Sequence, residues 1–262
     1  MTKKIRFSSQ ALKEVLYKYQ YNLNTGDIVT GNVFHEEKQG FLVDIGNKTA
    51  GYLPKKEVAF GNNLVHKIKD LFLVNQTREF FIIAKTNKSS QLLLSIKRLE
   101  YIRGWKRIKQ LEKDDIIIHA NIKKINRGGL LVEVEGIIGF IPSSHVVDTY
   151  NPNINKKRII RCQLLLANEK HNKLILSEKR ALLALNIKKF KIGDYIDGKI
   201  IDIKHYGLFV KIHNIHALLH ISEIGDEHIQ NIYKYFNIGD KIRVQIRHID
   251  MKQGRISVST RK

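Results

Sequence analysis

The side chains with the most distinctive chemistry lie toward the C-terminus of this sequence. Two aromatic rings flank a glycine in the segment Tyr206-Gly207-Leu208-Phe209, and an imidazole and a guanidinium follow at His220 and Arg255. Aromatic rings can stack on the bases of single-stranded nucleic acid, each stack contributing about 1 to 3 kcal/mol, while cations follow the phosphates. Phe209 alone is equally compatible with a core position, but the combination predicts an RNA-binding face. With two nearby cations added, the candidate residues are Tyr206, Phe209, His220, Arg255, Lys204 and Lys211.

Residues for catalysis are much less evident. No P-loop, dinucleotide-binding glycine motif or metal-ligating cluster of carboxylates is recognisable. His213, His216 and His220 suggest a metal site at first sight, but predicted strands and an intervening turn argue against convergence of their rings. We therefore expect no catalytic residue, no metal and no cofactor.

The charge balance favours a polyanionic partner. The 262 residues include 46 Lys and Arg against 25 Asp and Glu, a formal net charge of +21. Each phosphate that a cation neutralises releases condensed counterions, which makes nucleic acid the natural partner. An anionic membrane surface is the competing partner, but the sequence has no polybasic amphipathic helix, lipidation signal or apolar run of about 20 residues. We expect single-stranded RNA as the partner and no membrane.

Cys162 is the single cysteine, so no intrachain disulfide can form, and a reducing compartment fits. It lies in the apolar run 159–166. This position predicts a small buried hydrophobe rather than a reactive thiol.

One unit occurs three times along the chain. The intervals from Gly31 to Gly40, from Ala120 to Gly129 and from Gly198 to Gly207 are each nine residues. The copies also close on serines, Ser95, Ser177 and Ser259, which are 82 residues apart in both intervals. Such regular self-similarity indicates tandem copies of one structural unit.

The third copy predicts five strands, roughly at 195–203, 208–212, 217–221, 241–249 and 255–259. Ile242, Val244 and Ile246 alternate with polar residues, as in a half-buried strand. Ile229, Ile232 and Phe236 recur at helical spacing and predict a short helix or 3₁₀ segment before the fourth strand. Five strands with this insertion form the OB-barrel pattern, in which the repeated glycines allow a bend in a tightly curved strand.

The predicted fold is therefore all-β: three tandem five-stranded OB-fold barrels joined by short helical linkers. Leu12, Leu16 and Tyr19 indicate an N-terminal helix, and Trp105 is interpreted as a packing residue of the first linker, in preference to an RNA-stacking one. The predicted divisions are an N-terminal helical segment at 1–23, repeat 1 at 24–96, a helical linker at 97–112, repeat 2 at 113–180, a linker at 181–190 and repeat 3 at 191–262.

The segments 206–210 (YGLFV) and 218–223 (LLHISE) resemble the RNA-binding repeat first described in ribosomal protein S-one. Repeat order over residues 24–262 resembles the three-repeat plastid or cyanobacterial type of that small-subunit family. The resemblance implies RNA contact at the matching positions, which are Tyr206, Phe209, His220, Asp250 and Arg255. Because Asp250 carries no positive charge, we interpret it as ordering Arg255 or the adjacent turn. Ala217 departs from the family, which commonly has glycine there.

Repeats 1 and 2 depart further at the matching positions. They carry Pro54 and Pro142 for His220, Leu42 and Leu131 for Phe209, and Gln39 and Gly128 for Tyr206. The aromatic platform is thus expected to be missing, and the resemblance implies that these repeats dock on the small ribosomal subunit rather than grip messenger. Whether Phe41, Tyr52 and Phe140 are exposed or belong to the core stays open at this point.

The expected function is that of a structural constituent of the small ribosomal subunit that binds single-stranded mRNA and assists translation initiation. The expected location is the plastid (chloroplast) stroma or, alternatively, a bacterial cytoplasm. Two other functions stay open: a ribosome-independent RNA-binding regulator or chaperone, and the RNA-binding part of an RNA-processing enzyme. The enzyme hypothesis is disfavoured because it requires a catalytic domain.

Overall fold

The computed structural model describes residues 23–47, 49–58, 74–86, 91–147, 159–225 and 232–261. The predicted N-terminal helix with Leu12, Leu16 and Tyr19 lies outside them, as does Ile229. The chain divides into two compact units, Met1–Ile102 and Arg103–Lys262.

The first unit contains barrel 1, a closed sheet with strand order β1-β2-β3-β5-β4. Its strands are β1 (Ile28–Glu36), β2 (Gly40–Asp44), β3 (Gly51–Pro54), β4 (Thr77–Lys85) and β5 (Leu92–Ser95), with a 3₁₀ turn at Lys55–Glu57. β3 and β5 pair in parallel, whereas the other pairs are antiparallel. Alternate apolar residues of these strands, including Val33, Phe80 and Leu94, fill the interior.

The second unit contains two more closed barrels of the same kind. Barrel 2 consists of β6 (Ile118–Asn126), β7 (Gly129–Val134), β8 (Ile137–Pro142), β9 (Ile159–Asn168) and β10 (Lys173–Ser177). Barrel 3 consists of β11 (Tyr195–Lys204), β12 (Gly207–Ile212), β13 (Ile215–His220), β14 (Lys241–Asp250) and β15 (Arg255–Ser259). Further 3₁₀ turns lie at Ser143–His145, Ile221–Glu223 and Ile232–Lys234. The predicted all-β fold of three tandem five-stranded barrels is confirmed.

Two helices occur among the described residues: α1 (Ile96–Lys113) and α2 (Glu178–Asn186), the latter followed by a 3₁₀ turn at Ile187–Lys189. Neither is long and apolar enough to cross a membrane. In α1, Trp105 is fully buried, which confirms its prediction as a packing residue.

The repeated serines lie at the ends of the last strands of the barrels and bond to the backbone that follows. Each is fully buried. The Oγ atoms of Ser95, Ser177 and Ser259 accept hydrogen bonds from the backbone N–H groups of Arg98 (2.7 Å), Arg180 (3.1 Å) and Arg261 (3.0 Å). A side chain that satisfies a backbone donor at the start of a helix favours helix formation there. Ser95 and Ser177 thus cap the first turns of α1 and α2, whereas among the described residues no helix follows Ser259.

α2 joins barrels 2 and 3 within the second unit. Leu183 is part of the barrel 3 core. On the barrel 2 side, the Arg180 guanidinium donates to the carbonyl of Leu164 and to Asp115 Oδ1 (2.8 Å). Gly254, in the turn before β15, lies so close to the start of α2 that an added Cβ would be 2.6 Å from the Arg180 nitrogen. The linker is thus packed against both barrels.

The glycine at the start of the second strand of each barrel is required by a close approach. A Cβ at Gly40, Gly129 or Gly207 would lie less than 3.0 Å from the carbonyl oxygen of Leu53, Ile141 or Leu219, respectively. The sequence predicted a bend at these positions. The structure adds that the facing strand leaves no space for a side chain.

Cys162 is fully buried on β9, which confirms the prediction of a small hydrophobe. Burial, with the Glu178 charge as a smaller cause, raises the pKa of its thiol to about 12. Because the thiolate is the nucleophile, we expect no reaction of the folded protein with Ellman's reagent at pH 8 and one equivalent of reaction in urea. Rapid stoichiometric labelling of the folded chain would contradict this buried placement.

Candidate nucleic-acid interface

Strand register places one row of side chains across the outer surface of barrel 3. Leu208 and Val210 point into the core, so the intervening Phe209 points outward and is half-buried. In the Cα pairing of the sheet, Phe209 belongs to a row that has one residue from each of the five strands. This central row consists of Asp202, Phe209, Leu218, Ser257 and His248. Phe209 is therefore a surface residue of the sheet, and not a core residue.

Tyr206 extends the aromatic surface beyond the end of β12. It lies in the β11–β12 turn and is 38% exposed. Its ring meets that of Phe209 edge-on, with centroids 6.3 Å apart and planes at 83°. The His205 ring also contacts Tyr206 edge-on, with centroids 5.1 Å apart and planes at 88°. Edge-to-face contacts of this kind hold rings in fixed orientations, which suits stacking on bases.

His220 is held in a defined orientation at the end of β13, opposite Gly207. Its Nδ1 accepts a hydrogen bond from the backbone N–H of Ser222 at 3.2 Å and lies 2.8 Å from Ser222 Oγ. Because Nδ1 is an acceptor here, the neutral ring carries its proton on Nε2. The exposed imidazole can then donate a hydrogen bond to a base or a phosphate.

Lys204 is exposed and forms an ion pair with Asp202 at 2.9 Å. The hydrogen bond with that carboxylate is the main cause that raises the pKa of Lys204, which therefore stays cationic. Lys211 lies two residues beyond Phe209 and pairs with His216 on β13.

Asp250 and Arg255 are paired across the β14–β15 turn. Asp250 Oδ1 accepts the N–H of Gln253 at 3.0 Å, an arrangement that orders the turn. Arg255 is exposed. Burial is the main cause that lowers the pKa of Lys179 at the start of α2, and the charge of Arg255 is the second cause. The structure therefore gathers Tyr206, Phe209 and His220 at one end of the outer surface and places Arg255 toward barrel 2.

A groove of about 500 Å³ next to His220 contains two cations that are not among the residues predicted from the sequence. Its lining includes Leu218 and Ser257 of the central row together with two guanidinium groups, Arg247 and Arg261, and one carboxylate, Glu223. Arg247 lies at a β-bulge between Ile246 and His248, so it and His248 are both exposed. The sequence indicates this bulge by the spacing of the apolar residues Ile246 and Ile249, which are three positions apart. Residues on the same face of a regular strand are two positions apart.

Replacing Arg247 by glutamine should weaken RNA binding and reduce the salt dependence of that binding. If its guanidinium neutralises one phosphate, the slope of log K against log salt decreases by about 0.7 for a single strand. Fluorescence anisotropy with a labelled oligouridylate at several salt concentrations measures the slope. Arg243→Gln is the matched control, because Arg243 lies on the same strand but over the Tyr195 ring, 5.9 Å from its centroid. An unchanged slope for Arg247→Gln would exclude a phosphate contact.

Barrels 1 and 2 carry an aromatic residue in the equivalent row, but on the third strand instead of the second. Leu42 pairs with Tyr52 in barrel 1, Leu131 pairs with Phe140 in barrel 2, and Phe209 pairs with Leu218 in barrel 3. Tyr52 and Phe140 are half-buried on the outer surface. In contrast, Phe41 belongs to the core of barrel 1 and is 1% exposed.

Comparison with known proteins gives consistent matches over nearly the whole chain. Residues 22–97, 111–166 and 189–261 match the family model described as "S1 RNA binding domain". Small ribosomal subunit protein bS1c of Porphyra purpurea is 45% identical over 253 residues, covering 97% of this chain and 95% of that protein. Small ribosomal subunit protein bS1A of Synechocystis sp. is 40% identical over 261 residues, covering 100% of this chain and 79% of that protein.

Proposed function

This chain belongs to the small ribosomal subunit protein bS1 family, and from that premise we propose that it is a structural constituent of the small ribosomal subunit. In this role it binds single-stranded mRNA and assists translation initiation. It acts by binding alone and performs no chemistry. Matched relatives of the chain are named as ribosomal proteins, which supports this assignment.

The outer surface of barrel 3 is the observation that carries the RNA-binding part of the proposal. Stacking groups (Tyr206 and Phe209) adjoin an imidazole whose free nitrogen is a donor (His220), and a groove with two guanidinium groups lies beside them. These are the components that single-stranded nucleic acid requires: apolar planes for bases and cations for phosphates. Arg255 and Lys211 add positive charge to the same surface, and Asp250 orders the turn that presents Arg255. Lys204 also lies there, with its charge balanced by Asp202.

We further propose that barrels 1 and 2 dock the protein on the small subunit. Support comes from the residues at the positions of His220 and Phe209, which are prolines and leucines in these barrels. A barrel without the imidazole and with its aromatic ring on another strand has a different surface, which is consistent with a different partner. The ribosome is then that of a plastid, with the chloroplast stroma as location, or that of a bacterium.

Sedimentation through sucrose gradients tests the ribosomal assignment. We expect the chain to migrate with small subunits at low salt and to be partly released at high salt, because cation–phosphate contacts weaken as salt rises. If it remains at the top of the gradient at low salt, the ribosomal assignment is wrong, and a ribosome-independent RNA-binding protein is the better description.

A further inference from the structure

The third residue of the 3₁₀ turn that follows the third strand differs in charge between the barrels. Barrels 1 and 3 have Glu57 and Glu223 at this position, whereas barrel 2 has His145. In barrel 1 the Glu57 carboxylate accepts a hydrogen bond from Ser95 Oγ at 2.7 Å, and in barrel 3 the carbonyl oxygen of Glu223 accepts one from Ser259 Oγ at 3.4 Å. The turn therefore provides an acceptor for the buried serine at the end of the last strand, and in barrel 2 an imidazole replaces the acid.

His145 makes the corresponding contact in barrel 2. Its Nδ1 lies 3.0 Å from Ser177 Oγ, which also accepts the backbone N–H of Arg180. Because the serine hydroxyl is the donor in the other two barrels, we assign Nδ1 as the acceptor, so the neutral ring carries its proton on Nε2. Protonation of Nδ1 would turn this acceptor into a donor and would remove the acceptor of the buried Ser177 hydroxyl, which is costly.

The contact lies where barrels 2 and 3 meet at the first turn of α2. The backbone N–H of Val147, two residues after His145, donates to Glu178 Oε2 at 2.8 Å, so this part of barrel 2 is bonded to α2. From barrel 3, Gly254 lies against the same turn, since a Cβ there would be 2.8 Å from the carbonyl carbon of Lys179. The first turn of α2 is therefore held by both barrels.

Two cations from different elements act on His145, namely Lys179 of α2 and Arg255 of barrel 3. Burial is the main cause that lowers the pKa of His145, and the charges of Arg255 and Lys179 are the next causes. The turn Ser143–His145 has no other charged side chain, and the acid beside Lys179 in α2 is Glu178, which favours the cationic form of that lysine. A positive charge on His145 would be repelled by both cations, whereas the acid of the other barrels would attract them.

We propose that the junction of barrels 2 and 3 is a pH-sensitive contact, in which protonation of His145 releases barrel 3 from barrel 2 and lets the two barrels move independently. Since the closed junction favours the neutral imidazole, the contribution of His145 to stability is complete above the ordinary pKa of 6.5. It is lost as the pH falls through the lowered pKa of His145 in the closed junction. The switch requires neither RNA nor a ribosome, so its failure would leave the proposed function unchanged.

Single-molecule fluorescence energy transfer within the full-length chain tests the switch. Lys124→Cys and Lys241→Cys place one dye on each barrel, because both lysines are exposed and the buried Cys162 should not react in the folded chain. We expect a narrow distribution of transfer efficiency at about pH 7.5 and a broad one at about pH 5. His145→Gln keeps an acceptor for the Ser177 hydroxyl but cannot be protonated, so its distribution should stay narrow at both pH values.

Two further variants make the test specific. His145→Glu gives barrel 2 the acid of the other barrels and should also keep the distribution narrow. His119→Gln is the matched control, because His119 is an exposed histidine on β6 of the same barrel, and this variant should retain the pH response of the parent. If the parent does not respond to pH, or if His145→Gln responds equally, the inference is wrong. A loss of circular dichroism over the same pH range would show that a barrel unfolds, and would also overturn it.

Discussion

Replacing Phe209 by alanine should weaken binding of the chain to an unstructured RNA by about tenfold to a hundredfold. The ring lies on the outer surface of barrel 3, in edge-on contact with Tyr206, and is available to stack on a base. Loss of a stacked base costs about 1 to 3 kcal/mol. Fluorescence anisotropy at constant salt measures the change, and circular dichroism verifies that the variant is folded. His220→Ala should weaken binding in the same direction through loss of a hydrogen-bond donor.

Leu42→Ala is the control for this prediction, since Leu42 has the position of Phe209 in barrel 1. It should reduce RNA affinity less than Phe209→Ala for the same loss of stability. Equal RNA affinity of the parent and of folded Phe209→Ala would refute the assignment of the barrel 3 surface.

Replacing Gly207 by alanine should have the largest effect on stability, a loss of about 3 kcal/mol in the free energy of unfolding of barrel 3. The new Cβ would lie less than 3.0 Å from the Leu219 oxygen and 3.0 Å from the Cα of His220. Both are backbone atoms of the facing strand and cannot move aside without breaking the β12–β13 pairing. Urea denaturation followed by circular dichroism measures the loss.

Gly193→Ala separates steric conflict from backbone strain. Gly193 has a positive φ of +95°, but a Cβ there would meet nothing within 4 Å. We expect a loss of about 1 kcal/mol from strain alone. Comparable losses for the two variants would mean that the close approach at Gly207 is not the reason for the glycine.

The fold could be predicted from the sequence because the same pattern of strands and glycines occurs in three repeats. Each barrel has alternating apolar residues, a glycine at a fixed interval and a buried serine at the end of its last strand, so a feature that is weak in one copy is visible in another. The five strands of barrel 3 were predicted to within about two residues of their observed bounds. Trp105 and Cys162 were also correctly assigned to buried positions.

The site was predicted less completely, because its geometry depends on pairing between strands that are distant in sequence. Alternation already places Arg247 on the polar face of β14, but its position in a groove with His220 and Ser257 depends on the pairing of the strands. The exposure of Tyr52 and Phe140 stayed open because position-by-position matching compares Leu42 and Leu131 with Phe209, whereas the aromatic rings lie on the neighbouring strand of the pair.

The packing of α2 against both of its neighbours has a consequence for the geometry of binding. Leu183 belongs to the core of barrel 3, and Arg180 is hydrogen-bonded to barrel 2. Gly254 of barrel 3 lies against the backbone of Arg180. A flexible linker would let two binding domains adopt many separations. A ligand that contacts both domains would then lose affinity through the conformational entropy of the linker. Here α2 sets the distance between barrels 2 and 3 before any ligand binds. A ligand that contacts both barrels must therefore match that distance.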